Sequence, residues 1–142
     1  MEATEIIRCR GHPLVSASHP TTFEVTMEEE LSENGHCIIG VGADKGAAGL
    51  STEFRDILCR DGAKLTTTLA CEGFIIEVQS EGSAAMVLDH RTDCVWRKSS
   101  FVCGRTIGIH SDHVAATLPI TIITHLKAGR PMVVTMTVRG PG

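Results

Sequence analysis

The chain has 142 residues, 42% apolar and 21% charged, with a formal net charge of −4. That length can bury roughly 65 to 70% of the surface its unfolded form exposes, enough for a conventional core, and the composition excludes the disordered and fibrous classes. The acidic balance argues against broad salt-driven binding to nucleic acid. No run reaches the roughly 18 apolar residues of a spanning helix, and the opening MEATEIIRCRG lacks the layout of a signal peptide, so a cytoplasmic protein without a membrane partner is expected.

In chain order, TEIIRCRG (4–11) is a β-rich run stopped by glycine, and LVSAS (14–18) follows it, so the two suggest a hairpin. His19, Pro20 and two threonines lead into an alternating strand in which Phe23 and Val25 point to the core and Thr22, Glu24 and Thr26 point away. CIIGVG (37–42) is a short buried strand. Leu50, Phe54, Ile57 and Leu58 then recur at helical spacing, with Gly62 as a plausible stop. KLTTTLA (64–70) is the next strand, and CEG (71–73) is a short linker.

The second part of the chain repeats this order. GFIIEVQSEG (73–82) and AAMVL (84–88) again suggest a hairpin, and the next strand turns Cys94 and Trp96 inward, with Asp93, Val95 and Arg97 on the other face. RTIGIH (105–110) is a short strand, and Leu118, Ile122, His125 and Leu126 form a helical stripe. Pro119 is tolerated only in the first turn, so that helix should begin at about Pro119 and stop at Gly129. MVVTMTV (132–138) is the final strand, and RGPG (139–142) is expected to be loose.

The repetition extends to residue identity. Shifted by 68 without gaps, Ile39, Gly40, Asp44, Ala47, Ala48, Leu50, Leu58 and Thr67 meet identical residues, eight in 29 positions. A shift of 71 pairs His19 with His90 and Thr21 with Thr92. The expected architecture is a single α+β domain over 1–142, made of two β-β-β-β-α-β halves (about 4–70 and 74–138). The halves share a core about a pseudo-twofold axis, and a closed or barrel-like sheet is one form, since closure removes exposed edges.

Several residues could carry chemistry. His19 and His90 precede equivalent strands; with Asp44 and Asp112 they would suit acid-base chemistry or a metal, while the plainer reading has each histidine cap a turn. Asp44 and Asp112 stand between a strand and a helix, where an aspartate caps backbone N–H groups or lies beside an anion. Arg91, Arg97, Lys98 and Arg105 fall within fifteen residues that hold one acid, Asp93. Arg97 as a fork and Lys98 as a point charge could hold a phosphate or carboxylate; the plainer alternative is a bridge from Arg97 to Glu24 or Asp93. The six cysteines have no zinc-like spacing and read as small thiols in a reducing cytosol. Walker, GxGxxG, GxSxG and HExxH motifs are absent, and a chain with no tyrosine and one tryptophan is poorly supplied with base-stacking platforms.

GHPLVSASHPTTFEVT, CIIGVGADK, HRTDCVWRKSSFVCGRT and IHSDHVAATL, in that order, resemble a family of small, mainly archaeal proteins known only as a domain of unknown function. The likeness covers about residues 5–118. The family pattern usually has aspartate at His36 and lysine at His113, so it transfers no role to either. The resemblance implies an archaeal, cytosolic origin and no activity, substrate or cofactor.

Three functions fit these residues. The first is a domain that binds a small molecule or anion between the halves, using His19, Thr21, Thr22, Asp44, Lys45, His90, Thr92, Asp93, Arg97 and Lys98. Within this set, Arg97, Lys98, Thr92 and Lys45 are expected to line one pocket, with hydrogen bonds from the His19 side. The second is a metal-dependent enzyme using His12, His19 and His90 with a carboxylate. The third is an accessory or interaction protein with no ligand.

Overall fold

The computed structural model describes residues 1–141. Eight strands form two four-stranded sheets. In the first sheet, β1 (Glu2–Arg10), β8 (Pro131–Arg139), β4 (Lys64–Cys71) and β5 (Phe74–Glu81) lie in the order β1-β8-β4-β5, all antiparallel. Strict alternation decides its inner face. Ile7, Leu65, Leu69, Val78, Val134, Met136 and Val138 are wholly buried, whereas Thr4, Thr66 and Thr137 lie on the other face. Glu72 and Gly73, both at positive φ (51° and 78°), make the two-residue turn of the β4–β5 hairpin, whose twist matches that of the strands.

The second sheet has the order β3-β2-β6-β7, from β2 (Thr22–Thr26), β3 (Ile38–Gly40), β6 (Asp93–Arg97) and β7 (Thr106–Gly108). Its central pair, β2 and β6, is antiparallel; each flanking strand runs parallel to its neighbour. Phe23 and Trp96 are register partners and stack with ring centroids 4.6 Å apart, a contact worth about 0.5–1.5 kcal/mol beyond burial. Trp96 Nε1 donates to Thr67 Oγ1 at 2.9 Å, tying this sheet to β4 across the core.

Helix α1 (Thr52–Leu58) begins where Ser51 Oγ accepts the Phe54 N–H, and it buries Phe54, Ile57 and Leu58. Helix α2 (Ile120–Lys127) starts immediately after Pro119 and buries Ile122, Ile123 and Leu126. A short 3₁₀ turn precedes each helix, at Ala47–Gly49 and Ala115–Thr117. Residues 2–71 and 74–139 thus run through the same element order, strand-strand-strand-turn-helix-strand. Gly11 follows β1 against α2, and Gly82 follows β5 against α1. A Cβ at Gly11 would stand 1.9 Å from Leu126 O, and one at Gly82 would stand 2.1 Å from Leu58 O. Only glycine permits either approach.

Three expectations are corrected. LVSAS and AAMVL are not strands, and β1 pairs with β8, not with a hairpin neighbour. Val15, Met86 and Leu88 are buried, but Ala17 and Leu88 take φ of 48° and 51°, a left-handed bend that a ladder does not accommodate. The sheet does not close into a barrel: the strands lie in two separate four-stranded sheets, with the isolated bridges Arg10↔Val41 and Glu81↔Ile109 between them. The tail is shorter than expected, because Arg139 is still in β8 opposite Glu2 and the Gly140 N–H donates to Met1 O; residue 142 lies outside the described residues.

Candidate functional site

The outward face of the β2–β6 pair is polar by sequence but largely covered. Thr22, Glu24 and Thr26 stand opposite Arg97, Val95 and Asp93 respectively. All three β2 residues are buried, as is Val95. Side chains from the flanking loops, among them Cys37 and Arg105 against Glu24, cover this face, so the expected solvent face is a polar layer instead. The loop before β7 adds Cys103 and Arg105 to this layer, β7 adds Thr106, and the residue before β3 adds Cys37.

At its centre the Glu24 side chain is 4% exposed, and its Oε1 lies 3.1 Å from Arg105 Nη1. The same nitrogen lies 3.4 Å from Asp93 Oδ2, while Asp93 Oδ1 accepts the hydroxyls of Thr26 and Thr92 at 2.7 and 2.9 Å. Burial, reinforced by the Asp93 charge, pushes the Glu24 carboxyl up to about 7 despite Arg105.

Arg97 is held differently. Its Nε donates to Thr106 Oγ1 at 2.8 Å, its Nη2 lies 3.3 Å from Cys103 Sγ, and its guanidinium carbon sits 4.9 Å from the centre of the Phe101 ring. The bridge to Glu24 or Asp93 anticipated for Arg97 is made by Arg105. Among the described residues no carboxylate pairs with Arg97. Lys98 is exposed beside it, fixed through its N–H to Thr21 O at 2.8 Å. For the Cys103 thiol burial acts to raise the pKa, but it is overcome by bonds from the Arg105 backbone, Thr106 and Arg97, which bring the thiol down to about 7.

The antiparallel register divides the anticipated ligand set in two. Thr22 pairs with Arg97 at one end, which gathers His19, Thr21, Thr22, Arg97 and Lys98; Thr26 pairs with Asp93 at the other, which gathers His90, Thr92 and Asp93. Four strand steps, about 13 Å, separate Asp93 from Arg97, and Thr92 lies one step further. Lys45 turns away from both ends, its Nζ 2.7 Å from Glu5 Oε1 and 3.0 Å from Ile6 O. The pocket expected from Arg97, Lys98, Thr92 and Lys45 is therefore not assembled.

His19 and His90 share one local role. Nδ1 of His19 accepts the Thr21 N–H at 3.2 Å, and Nδ1 of His90 accepts the N–H groups of Thr92 and Asp93 at 3.3 and 3.0 Å. The ring proton of each neutral imidazole is then on Nε2. They sit at opposite ends of the β2–β6 pair. His12 accepts the Leu14 N–H and lies 4.0 Å from Glu30, so the three histidines do not converge. Asp44 and Asp112 cap neither helix. Each holds an edge strand, accepting the N–H of Arg8 at 3.0 Å or of Gln79 at 2.9 Å.

A second polar cluster has no signal in the sequence beyond Asp112. Lys64, Gln79, Ser80, Glu81, His110 and Asp112 line an open cavity of about 230 Å³. Glu81 accepts from Lys64 at 2.9 Å and pairs with Nδ1 of His110, a residue in the left-handed region at φ 51°. The Glu81↔Ile109 bridge brings these distant positions together, and no local pattern announces it.

No helix among the described residues is long and apolar enough to cross a membrane. Over 128 residues the chain is 39% identical to an uncharacterized protein, MJ0206, of Methanocaldococcus jannaschii, covering 90% of this chain and 94% of that protein. Residues 7–139 match the model of a family described as a domain of unknown function, DUF371, and the chain belongs to that family.

Proposed function

We propose that this protein is a cytosolic binding domain for a small anion, seated at the end of the β2–β6 pair where Arg97 and Lys98 meet His19, Thr21 and Thr22. One observation carries the reading: Arg97 is fixed by Thr106, Cys103 and the Phe101 ring, yet no carboxylate neutralises it among the described residues. A guanidinium held in place without a carboxylate partner suits a phosphate, sulfonate or carboxylate, because the ordering cost has been met before the ligand arrives. Lys98 supplies a mobile second charge, and the free Nε2–H of His19 supplies a hydrogen bond.

The scaffold is read as a duplication, residues 4–70 and 74–138. The shared element order supports this, as do the two sheet orders, β1-β8-β4-β5 and β3-β2-β6-β7, each of which reads the same from either end when the halves are exchanged. On this reading the site lies at the seam between the halves, and its counterpart at the other end of the pair lacks the two cations, since Thr26 and Met27 stand where the second half has Arg97 and Lys98.

Thermal-shift titration with phosphate, sulfate and di- and tricarboxylates tests the proposal. A ligand at a hundred times its dissociation constant should add about 2.7 kcal/mol of stability. Arg97→Met keeps the stem and deletes the fork, and it should abolish that gain. A folded Arg97→Met protein that binds the same anions with unchanged affinity rules the site out.

A further inference from the structure

The thiol beside Arg97 is unlike the other five. Cys9 and Cys94 are buried, and burial pushes both thiols up, Cys9 to about 12. Cys37 lies 3.9 Å from the Glu24 carboxylate, Cys59 donates to Met86 O at 3.3 Å, and burial raises both of these and Cys71. Only Cys103 is partly exposed with a cation directly on its sulfur: Arg97 Nη2 at 3.3 Å, with the Thr106 hydroxyl at 3.6 Å. A thiolate so placed is stabilised, and it remains a good nucleophile when its pKa lies near the ambient pH.

A separate feature indicates what such a thiolate would meet. Arg97 has no carboxylate partner among the described residues, Lys98 is exposed next to it, and the Phe101 ring against which Arg97 rests is 59% exposed. An open aromatic face and two cations beside a sulfur nucleophile suit a molecule that carries an anionic group a few atoms from an electrophilic centre. A disulfide provides that centre without any metal or cofactor.

We propose that Cys103 is the attacking sulfur of a thiol–disulfide exchange site selective for small anionic disulfides, with Arg97 and Lys98 holding the anionic group; this rests on the anion-site reading above. The Cys103 proton passes to solvent and the thiolate attacks one sulfur of R–S–S–R. A new S–S bond forms to Cys103 as the old one breaks, and the electron pair departs on R–S⁻. The small disulfide is the oxidant, and Cys103 ends as a mixed disulfide that a second small thiol can reverse by the same step.

The test uses two reagents on the folded chain at neutral pH: dithiobis(nitrobenzoate), a dianionic aromatic disulfide, and dithiodipyridine, a neutral one. Modified peptides are identified by mass spectrometry. Cys103 should react first and at least about tenfold faster than any other cysteine, as expected for a half-ionised thiol beside largely protonated ones. Arg97→Met should slow the dianionic reagent much more than the neutral one, and Arg97→Lys should restore part of the difference; the lysine variant also serves if methionine disturbs folding. A first reaction at a different cysteine overturns the inference, as does a dianionic-to-neutral rate ratio unchanged by either substitution. Slow reaction of Cys103 with both reagents in a protein that still binds phosphate overturns the exchange site and leaves the anion site standing. Equal rates for the two reagents with no phosphate binding overturn the anion site and the preference for anionic disulfides with it.

Discussion

Glu5 and Ser51 are joined by a hydrogen bond from the Ser51 N–H to Glu5 Oε2, while the other carboxylate oxygen of Glu5 takes the Lys45 ammonium at 2.7 Å. The positions that the sequence shifts align with these three carry different chemistry. At a shift of 71, Glu5 becomes Ile76, which has no acceptor; at a shift of 68, Ser51 becomes Pro119, which has no N–H, and Lys45 becomes His113. The start of α2 has neither that donor nor a side-chain acceptor at the aligned position, so no amide there is left without a partner for want of a carboxylate.

Glu5→Ala should therefore cost about 2–3 kcal/mol, because it strands a cation and a helix-entry amide at once. Denaturant unfolding at neutral pH measures the cost. Burial works to raise the Glu5 pKa, but the Lys45 and Ser51 bonds outweigh it and the carboxyl is held below its ordinary value of 4.5. The ionised Glu5 thus contributes stability above 4.5 that disappears as the pH falls through its lower folded-state value. The advantage of the wild type over Glu5→Gln should shrink in that acid range and be constant above it.

Glu24 should behave with the opposite sign. Its carboxyl, raised to about 7 chiefly by burial, is protonated in the folded chain over a range where it is ionised in the unfolded one. Its contribution is fully present below about 4.5 and is lost as the pH rises through 7. Glu24→Gln keeps an acceptor for Arg105 and has no proton to lose. Its unfolding free energy should fall less than that of the wild type between pH 5 and 8, measured by denaturant titration at a series of about five pH values. Parallel curves for the two proteins would show that Glu24 is ionised in the fold.

Thr67→Val tests the link between the sheets. The Thr67 hydroxyl, fully buried, accepts the Trp96 indole N–H, and valine preserves the shape while removing the acceptor. The loss should be about 1–3 kcal/mol, the cost of a buried donor left without a partner. A thermal melt gives the size of the effect, and tryptophan fluorescence should report a changed indole environment without loss of the Phe23 stack.

The sequence alone determined most of the extended and helical segments and the inward face of the central strands. Period-two alternation placed Phe23, Val25, Cys94 and Trp96 inside, where all four are buried, and the Pro119 and Gly129 signals bounded the second helix to within about two residues. These are local properties of backbone sterics and apolar burial. Pairing is not local. LVSAS and AAMVL read as strands because buried loop residues are as apolar as strand residues, and nothing in the chain announces that β1 seeks β8 at its far end. The site followed the same rule. Residue types near His19 and Arg97 marked a polar region, but only the antiparallel β2–β6 register set Thr22 against Arg97 and carried His90 and Asp93 to the other end. Charge pairing was likewise a tertiary decision. Arg105, twelve residues from Asp93 and 81 from Glu24, takes both carboxylates and leaves Arg97 without one, because ion pairs form between groups that packing brings within about 4 Å, whatever their separation along the chain.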